Sequence, residues 1–299
     1  MESRTVDVDG PVHLFDFGGS GPPMVLVHGL GGASLNWLGV GPALAQRARV
    51  LALDLPGFGR TPLAGRSASV PAQCALLGRF LSSVVAAPAI VVGNSMGGLI
   101  AMMEAAAEPA RVAALVLAAP AQPAPAGARI GLEVLAALGT YAVPWLGEWF
   151  VRRRAARLGP EGLVREMLRL CCVDPARVAP ALREAHVALA AERLDRMPWA
   201  TPAFLDAARS TLASIRNRRA FYEMAGRITA PVLLIQGAGD RLVPLAASRA
   251  LARRRPEWIL EVFEGLGHVP QLEDPKRFVD TVEGWLDGTP LAPGGRRRL

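Results

Sequence analysis

The sequence predicts an α/β protein: a mostly parallel central sheet flanked by helices, with a helical cap inserted late in the chain. Three observations lead there. Short runs of branched apolar residues recur, and they are continuous rather than alternating, which suits strands covered on both faces. Helical stretches fall between or after them, the α/β alternation. The rhythm then breaks between Pro120 and Arg227, where no strand-like run appears. A structureless loop of that length is foreign to a compact domain, so the segment reads as inserted helices.

In order, the strand runs are Val12 to Phe17, Met24 to Val27, Val50 to Leu53, Ala89 to Val92, Val112 to Leu117, Val232 to Ile235 and Ile259 to Phe263. The helical stretches include Gly97 to Ala107, Leu245 to Arg254 and Arg277 to Leu286. Inside the break, prolines from Pro123 to Pro202 punctuate helical sequence. The expected organisation is a core of residues 1–120 and 228–289, a cap of residues 121–227, and a frayed tail of residues 290–299.

The 299 residues are 51% apolar, enough for one large core with an insertion. The formal net charge is +7, yet Lys276 is the only lysine. Richness in Arg, Ala and Gly points to a high-GC coding bias, so the charge is no argument for a nucleic-acid partner. Basic residues cluster at Arg152 to Arg154, Arg253 to Arg255 and Arg296 to Arg298. A solvated face or tail accounts for each, with contact to an anionic surface as the alternative. Cys74, Cys171 and Cys172 are an odd count with an adjacent pair, a poor disulfide framework. Free thiols in a reducing, cytoplasmic compartment are expected. Met1 to Pro11 is polar and shows no secretory segment. The most apolar stretch, Ile130 to Val151, is interrupted by Glu133, Gly139, Pro144, Gly147 and Glu148. A spanning helix needs about 20 mostly apolar residues, so no stable membrane insertion is expected.

Chemistry enters at Gly93-Asn94-Ser95-Met96-Gly97-Gly98, which follows a strand run and opens a helical stretch. This is G-x-S-x-G in a strand–turn–helix context. A serine on a sharp turn projects its hydroxyl above the sheet. Side chains at Gly93 and Gly97 would collide with neighbouring strand and helix. A phosphate loop is the competing reading, but no G-x-x-x-x-G-K-[ST] is present.

Ser95 needs a base. The histidines are His13, His28, His186 and His268. His268 follows the last strand run among glycines, so its loop can reach back over the sheet. His13, in a strand, and His186, in the cap, read as structural. The orienting acid should follow a strand end between serine and histidine. Asp240 does, whereas the end of Val112 to Leu117 reads Ala118-Ala119-Pro120 and offers no carboxylate. A tetrahedral intermediate also needs donors. The candidates are the backbone N–H of Met96 and that of Leu30, in His28-Gly29-Leu30-Gly31-Gly32. His28 reads as a residue holding that loop.

The chain here resembles the α/β-hydrolase superfamily, in its serine-nucleophile esterase/lipase-like or carbon–carbon hydrolase-like branch. The matching strings are Leu26-Val27-His28-Gly29, Asp54-Leu55-Pro56-Gly57-Phe58-Gly59-Arg60, the Ser95 elbow, Gly239-Asp240 with Val243-Pro244, and Gly267-His268 with Glu273-Asp274-Pro275. They span residues 12 to 287, omitting the cap. The resemblance implies the triad order Ser95, Asp240, His268, and a structural role for the Asp54 loop. Members with an aspartate nucleophile, the dehalogenases and epoxide hydrolases, are set aside by Ser95. Carbon–carbon hydrolases carry a similar elbow but typically follow the histidine with tryptophan, where this chain has Val269.

The expected activity is hydrolysis of carboxylic esters of small to medium apolar substrates, through an acyl-enzyme and without metal or organic cofactor. The alternatives are carbon–carbon bond hydrolysis of a meta-cleavage product and a small-molecule receptor with little turnover. No nucleic-acid partner is expected, and a homodimer is left open. Leu132, Leu135, Leu138, Tyr141, Val143, Trp145, Leu146, Trp149 and Phe150 would make an apolar pocket if they face the sheet, or would simply pack the cap onto the core. Trp145 and Trp149 are the residues whose size could set the pocket's length.

Overall fold

The computed structural model describes residues 1–128, 131, 134, 136, 139–141 and 143–291. Ile130, Leu132, Glu133, Leu135, Leu138 and Arg296 to Arg298 lie outside them. An eight-stranded sheet runs through the molecule in the order β1-β2-β4-β3-β5-β6-β7-β8. Its strands are β1 (Glu2–Asp7), β2 (Pro11–Gly18), β3 (Pro23–Val27), β4 (Arg49–Leu53), β5 (Ala89–Asn94), β6 (Val112–Ala118), β7 (Val232–Gly237) and β8 (Ile259–Phe263). The pairs β1·β2 and β2·β4 are antiparallel, and β3 through β8 run parallel.

The apolar runs of β3 through β7 are buried on both faces, whereas β8, at the sheet edge, is partly exposed. In β3, Met24 and Leu26 join one core cluster while Val25 and Val27 join the other. Helices α1 (Val70–Phe80) and α2 (Met96–Ala107) cover the first face. The second is covered in part by α8 (Pro275–Gly288), through Phe278, Val279 and Val282. Each such side chain contributes about 1.5–3 kcal/mol when fully buried. Helix α8 begins where the Asp274 side chain accepts from Arg277 N, an N-cap placed just before Pro275. α7 (Leu245–Arg254) packs against β7 and β8.

Among the described residues no strand lies between β6 and β7. That segment holds α3 (Pro144–Cys171, kinked at Gly159 before Pro160), α4 (Pro180–Arg196), α5 (Ala200–Arg216) and α6 (Arg218–Gly226). Helix α6 packs on α2, and its Phe221, Met224 and Ala225 belong to the same cluster as the sheet. The helical segment has therefore returned to the core layer before Arg227. Leu291, at the start of the expected tail, packs against the second cluster. Among the described residues no helix is long and apolar enough to cross a membrane.

Candidate active site

The elbow forms at the C-terminal edge of the sheet, where ligands of open α/β sheets bind. Strand β5 ends at Asn94, and α2 begins at Met96. Ser95 between them has φ 55° and ψ −117°. A non-glycine residue there costs on the order of 1–3 kcal/mol and persists only where surroundings impose it. Here they do. A Cβ on Gly93 would stand 2.5 Å from the Gly97 carbonyl oxygen, and one on Gly97 would stand 2.5 Å from that of His28. Any side chain at either position would push helix and strands apart. Met96 opens α2, so its N–H has no partner within the helix.

Asp240 and His268 meet above this edge. His268 Nδ1 donates to Asp240 Oδ2 at 2.8 Å, which leaves Nε2 as the acceptor. Asp240 also receives Leu242 N and Val243 N on Oδ1, at 2.8 and 2.9 Å, and Gln236 Nε2 on Oδ2 at 2.9 Å. Four donors on this buried carboxylate satisfy it and set its orientation. The His268 loop is tied to the elbow itself: Asn94 Nδ2 donates to the carbonyls of Ala118 and His268, both at 3.0 Å. It is tied to the insertion as well, since His268 N donates to the Cys171 carbonyl at 2.6 Å. Glu273 accepts from Gly267 N and Asp174 N, both at 2.8 Å.

His28 is fully buried and occupied by backbone. Its Nδ1 donates to the Gly29 carbonyl at 2.7 Å, and Nε2 accepts from Leu55 N at 3.0 Å. Burial holds its pKa below the ordinary 6.5. It is a neutral clamp on the loop Gly29–Gly32, which closes with Gly32 N donating to the Gly29 carbonyl at 3.0 Å. That loop abuts the elbow: a Cβ on Gly29 would lie 3.1 Å from Ser95 Cβ. Leu30 N–H, in this turn, has no protein acceptor among the described residues.

His13 lies in β2 and belongs to another array, with Ser3 and Asp54. His186 sits on α4 with Nδ1 donating to the Leu182 carbonyl at 2.8 Å. The cysteines are free thiols, and burial pushes both Cys74 and Cys172 up to about 12, so neither competes as a nucleophile. Among the described residues no group of three or more His, Cys, Asp or Glu is arranged to hold a metal ion.

The expectation for the two cap tryptophans is corrected. Trp145 is 75% and Trp149 55% exposed, because they and Arg153 share the outer face of α3 at four-residue spacing. The Arg153 guanidinium lies 5.5 Å from the Trp149 ring centroid. The aromatic group facing the oxyanion loop is instead Phe204 of α5, against which Tyr141 packs edge-on at 5.3 Å. A Cβ on Gly31 would touch the Phe204 ring at 3.3 Å. Sequence reasoning missed Phe204, Asn94, Gln236 and Glu273. None lies in a periodic run that announces a site, although Asn94 and Glu273 stand inside strings already singled out.

Comparison with known proteins agrees with this architecture. Residues 22–275 match the family model described as alpha/beta hydrolase fold. The chain is 32% identical over 272 residues to a pimeloyl-[acyl-carrier protein] methyl ester esterase of Aromatoleum aromaticum, covering 89% of this chain and 99% of that one. It is 28% identical over 288 residues to a 2-hydroxy-6-oxononadienedioate/2-hydroxy-6-oxononatrienedioate hydrolase of Cupriavidus pinatubonensis, covering 94% and 92%. A thermophilic esterase from Thermogutta terrifontis superposes with a TM-score of 0.72 at 23% identity, over 96% of this chain and 99% of that one, a likeness of fold alone. The family match covers most of the chain and includes the elbow, Asp240 and His268, so the chain belongs to the alpha/beta hydrolase family.

Proposed function

We propose that the protein is a serine hydrolase that cleaves carboxylic esters of small to medium apolar substrates. The observation that carries this reading is the pairing of Asp240 with His268 in a loop pinned by Asn94, the residue before the strained Ser95. Ser95 Oγ attacks the ester carbonyl while His268 Nε2 accepts the hydroxyl proton. Asp240 holds the ring in that tautomer and stabilises the imidazolium. The N–H groups of Met96 and Leu30 receive the oxyanion. His268 returns its proton to the departing alcohol and then activates the water that hydrolyses the acyl-enzyme. The helical insertion acts as a cap over this site, and Phe204 with Leu30 supplies apolar wall. Desolvation disfavours a substrate charged throughout, which would lose water and find few partners.

A panel of p-nitrophenyl esters from acetate to octanoate tests the reading. Rates should rise with chain length, each buried methylene adding up to about 0.8 kcal/mol until the pocket fills. No turnover of any member would overturn it. Carbon–carbon hydrolysis is favoured by the 28% identity to a hydrolase whose name gives a dienedioate substrate. Val269 weighs against it, because the position after His268 is filled by a small side chain packed against Leu272 and Val178. Turnover of a vinylogous diketone with none of the esters would establish that second reading.

A further inference from the structure

The loops that carry the acid and the base are braced from outside the sheet. Asp240 and His268 follow β7 and β8, in Gly237-Ala238-Gly239-Asp240 and Gly265-Leu266-Gly267-His268. Loops so rich in glycine do not fix a side chain by themselves. The bracing comes from one stretch of the helical insertion, residues 169–177, the end of α3 and the turn after it. On the base side, His268 N donates to the Cys171 carbonyl at 2.6 Å, and Arg177 Nη1 donates to the Gly265 carbonyl at 3.2 Å. On the acid side, Arg241 Nη1 donates to the Arg169 carbonyl at 2.6 Å. A Cβ on Gly239 would stand 2.4 Å from Val173 Cγ2, and one on Gly267 would stand 2.3 Å from the Cys171 carbonyl oxygen. Val269 and Leu272 complete the contact, in a cluster whose other buried members are Val164, Leu168, Cys172, Val178 and Leu182 of the insertion.

Glu273 joins the two sides. It is 2% exposed, and each carboxylate oxygen takes one backbone N–H: Oε1 from Asp174 and Oε2 from Gly267, both at 2.8 Å. A buried carboxylate is costly to desolvate, and an apolar side chain would fill the same place without that cost. What the carboxylate supplies is a two-sided acceptor, with a charge-assisted bond to each of two segments through a single side chain. Among the described residues no hydrogen bond of Glu273 reaches Ser95, Asp240 or His268.

We infer that Glu273 is a positioning residue: it locks the insertion to the base loop, so that the acid–base pair holds its geometry only while the insertion is seated. The insertion is then part of the mount for the acid and the base as well as a wall of the site. The inference rests on the reading of Ser95, Asp240 and His268 as nucleophile, acid and base, and it is independent of which bond is cleaved.

A fluorophosphonate reports on the nucleophile whatever the substrate. In the full chain carrying Glu273→Gln, one of the two N–H donors meets an amide NH2 instead of an acceptor. The maximal rate of Ser95 phosphonylation, per folded molecule, should fall about tenfold or more with the half-saturating concentration unchanged, because a small misplacement of the base weighs on the reacting step. Hydrogen exchange should quicken together at the amides of residues 171–174 and 267–268. If Glu273→Gln does not fold, Glu273→Asp reads the same quantities, since it keeps the charge but is too short to span both N–H groups. A lower melting temperature with an unchanged phosphonylation rate would make Glu273 a purely structural residue and overturn the inference. Faster exchange at 267–268 alone would overturn it too, because the insertion would then not be coupled. Labelling of wild-type Ser95 without turnover of any ester would sink the ester reading and leave the Glu273 comparison intact, whereas no labelling of wild-type Ser95 would sink the triad reading and the inference with it.

Discussion

The molecule contains two buried His–Asp pairs, each near a serine in the chain fold. In one, His268 Nδ1 donates to Asp240 at 2.8 Å, in a loop tied to Asn94, the residue before Ser95. In the other, His13 Nδ1 donates to Asp54 at 2.7 Å, and Ser3 Oγ donates to His13 Nε2 at 2.8 Å. Both carboxylates are buried and pinned by backbone N–H groups: Leu242 and Val243 for Asp240, Ser34 and Arg60 for Asp54. The serines differ. Ser3 is an exposed residue of the edge strand β1, in flat register opposite Phe15, with no helix beginning behind it. Ser95 is forced to φ 55° at the start of α2, beside a loop whose Leu30 N–H has no protein acceptor among the described residues. An oriented acid and base are thus ordinary structural furniture. What makes one array a candidate site is the strained elbow and the donors waiting for negative charge.

Experiments that break the comparison run from large effects to small. Ser95→Ala should lower kcat by roughly 10⁴-fold or more, while Ser3→Ala changes it little. A fluorophosphonate should label Ser95 alone. A mass-spectrometric adduct on Ser3, or a large rate loss in Ser3→Ala, would make the edge array the reactive one.

Next come the acids. Asp240→Asn should cost about 10⁴-fold in kcat by leaving His268 in the wrong tautomer, with the melting curve nearly unchanged. Asp54→Asn should do the reverse. Removing one partner of a buried pair costs about 3–5 kcal/mol, read by urea unfolding, and the protein that stays folded should keep its kcat. Rates lost in Asp54→Asn at unchanged stability would reassign the acid.

The loop clamp sharpens the contrast through pH. Burial depresses the pKa of His28 below 6.5, so the unfolded chain binds the extra proton first. Its contribution to stability is full above 6.5 and declines as pH falls below it. Asp54 titrates in a more acidic window: its pKa is lowered, so its contribution is full above 3.8 and declines as pH falls through the depressed value. A melting temperature followed from pH 8 to 3 should therefore fall in two stages, and Asp54→Asn should flatten only the more acidic one.

The smallest effects belong to the outer face of α3. Trp145→Ala and Trp149→Ala should change stability by about 0.5 kcal/mol or less, as expected of exposed positions. The ester chain-length profile should not move. Phe204→Ala should move it. A shifted optimum in either tryptophan variant would bring that face back into the pocket.

By itself the sequence determined the architecture and the string of candidate residues. Strands β3 through β7 are visible as continuous branched-apolar runs, because burial on both faces leaves no room for polar alternation; β2 and the edge strand β8 are legible from their apolar residues despite His13, Asp16 and Glu261. The glycines at 93 and 97 are visible because the elbow admits no side chain there. Edge strand β1 escaped notice, since ESRTVD is mostly exposed and carries almost no apolar signal. Tertiary structure alone decided the rest. Gln122 Nε2 donates to Ser248 Oγ at 2.8 Å and Ser248 Oγ to Gln236 Oε1 at 2.7 Å, a relay that ends on Asp240 through Gln236 Nε2. Its members come from β7, α7 and the segment after β6, so no spacing rule connects them. The same holds for Phe204 and the outward turn of Trp145. A helix periodicity says which residues share a face, but the neighbour that face meets is chosen by packing between segments far apart in the chain.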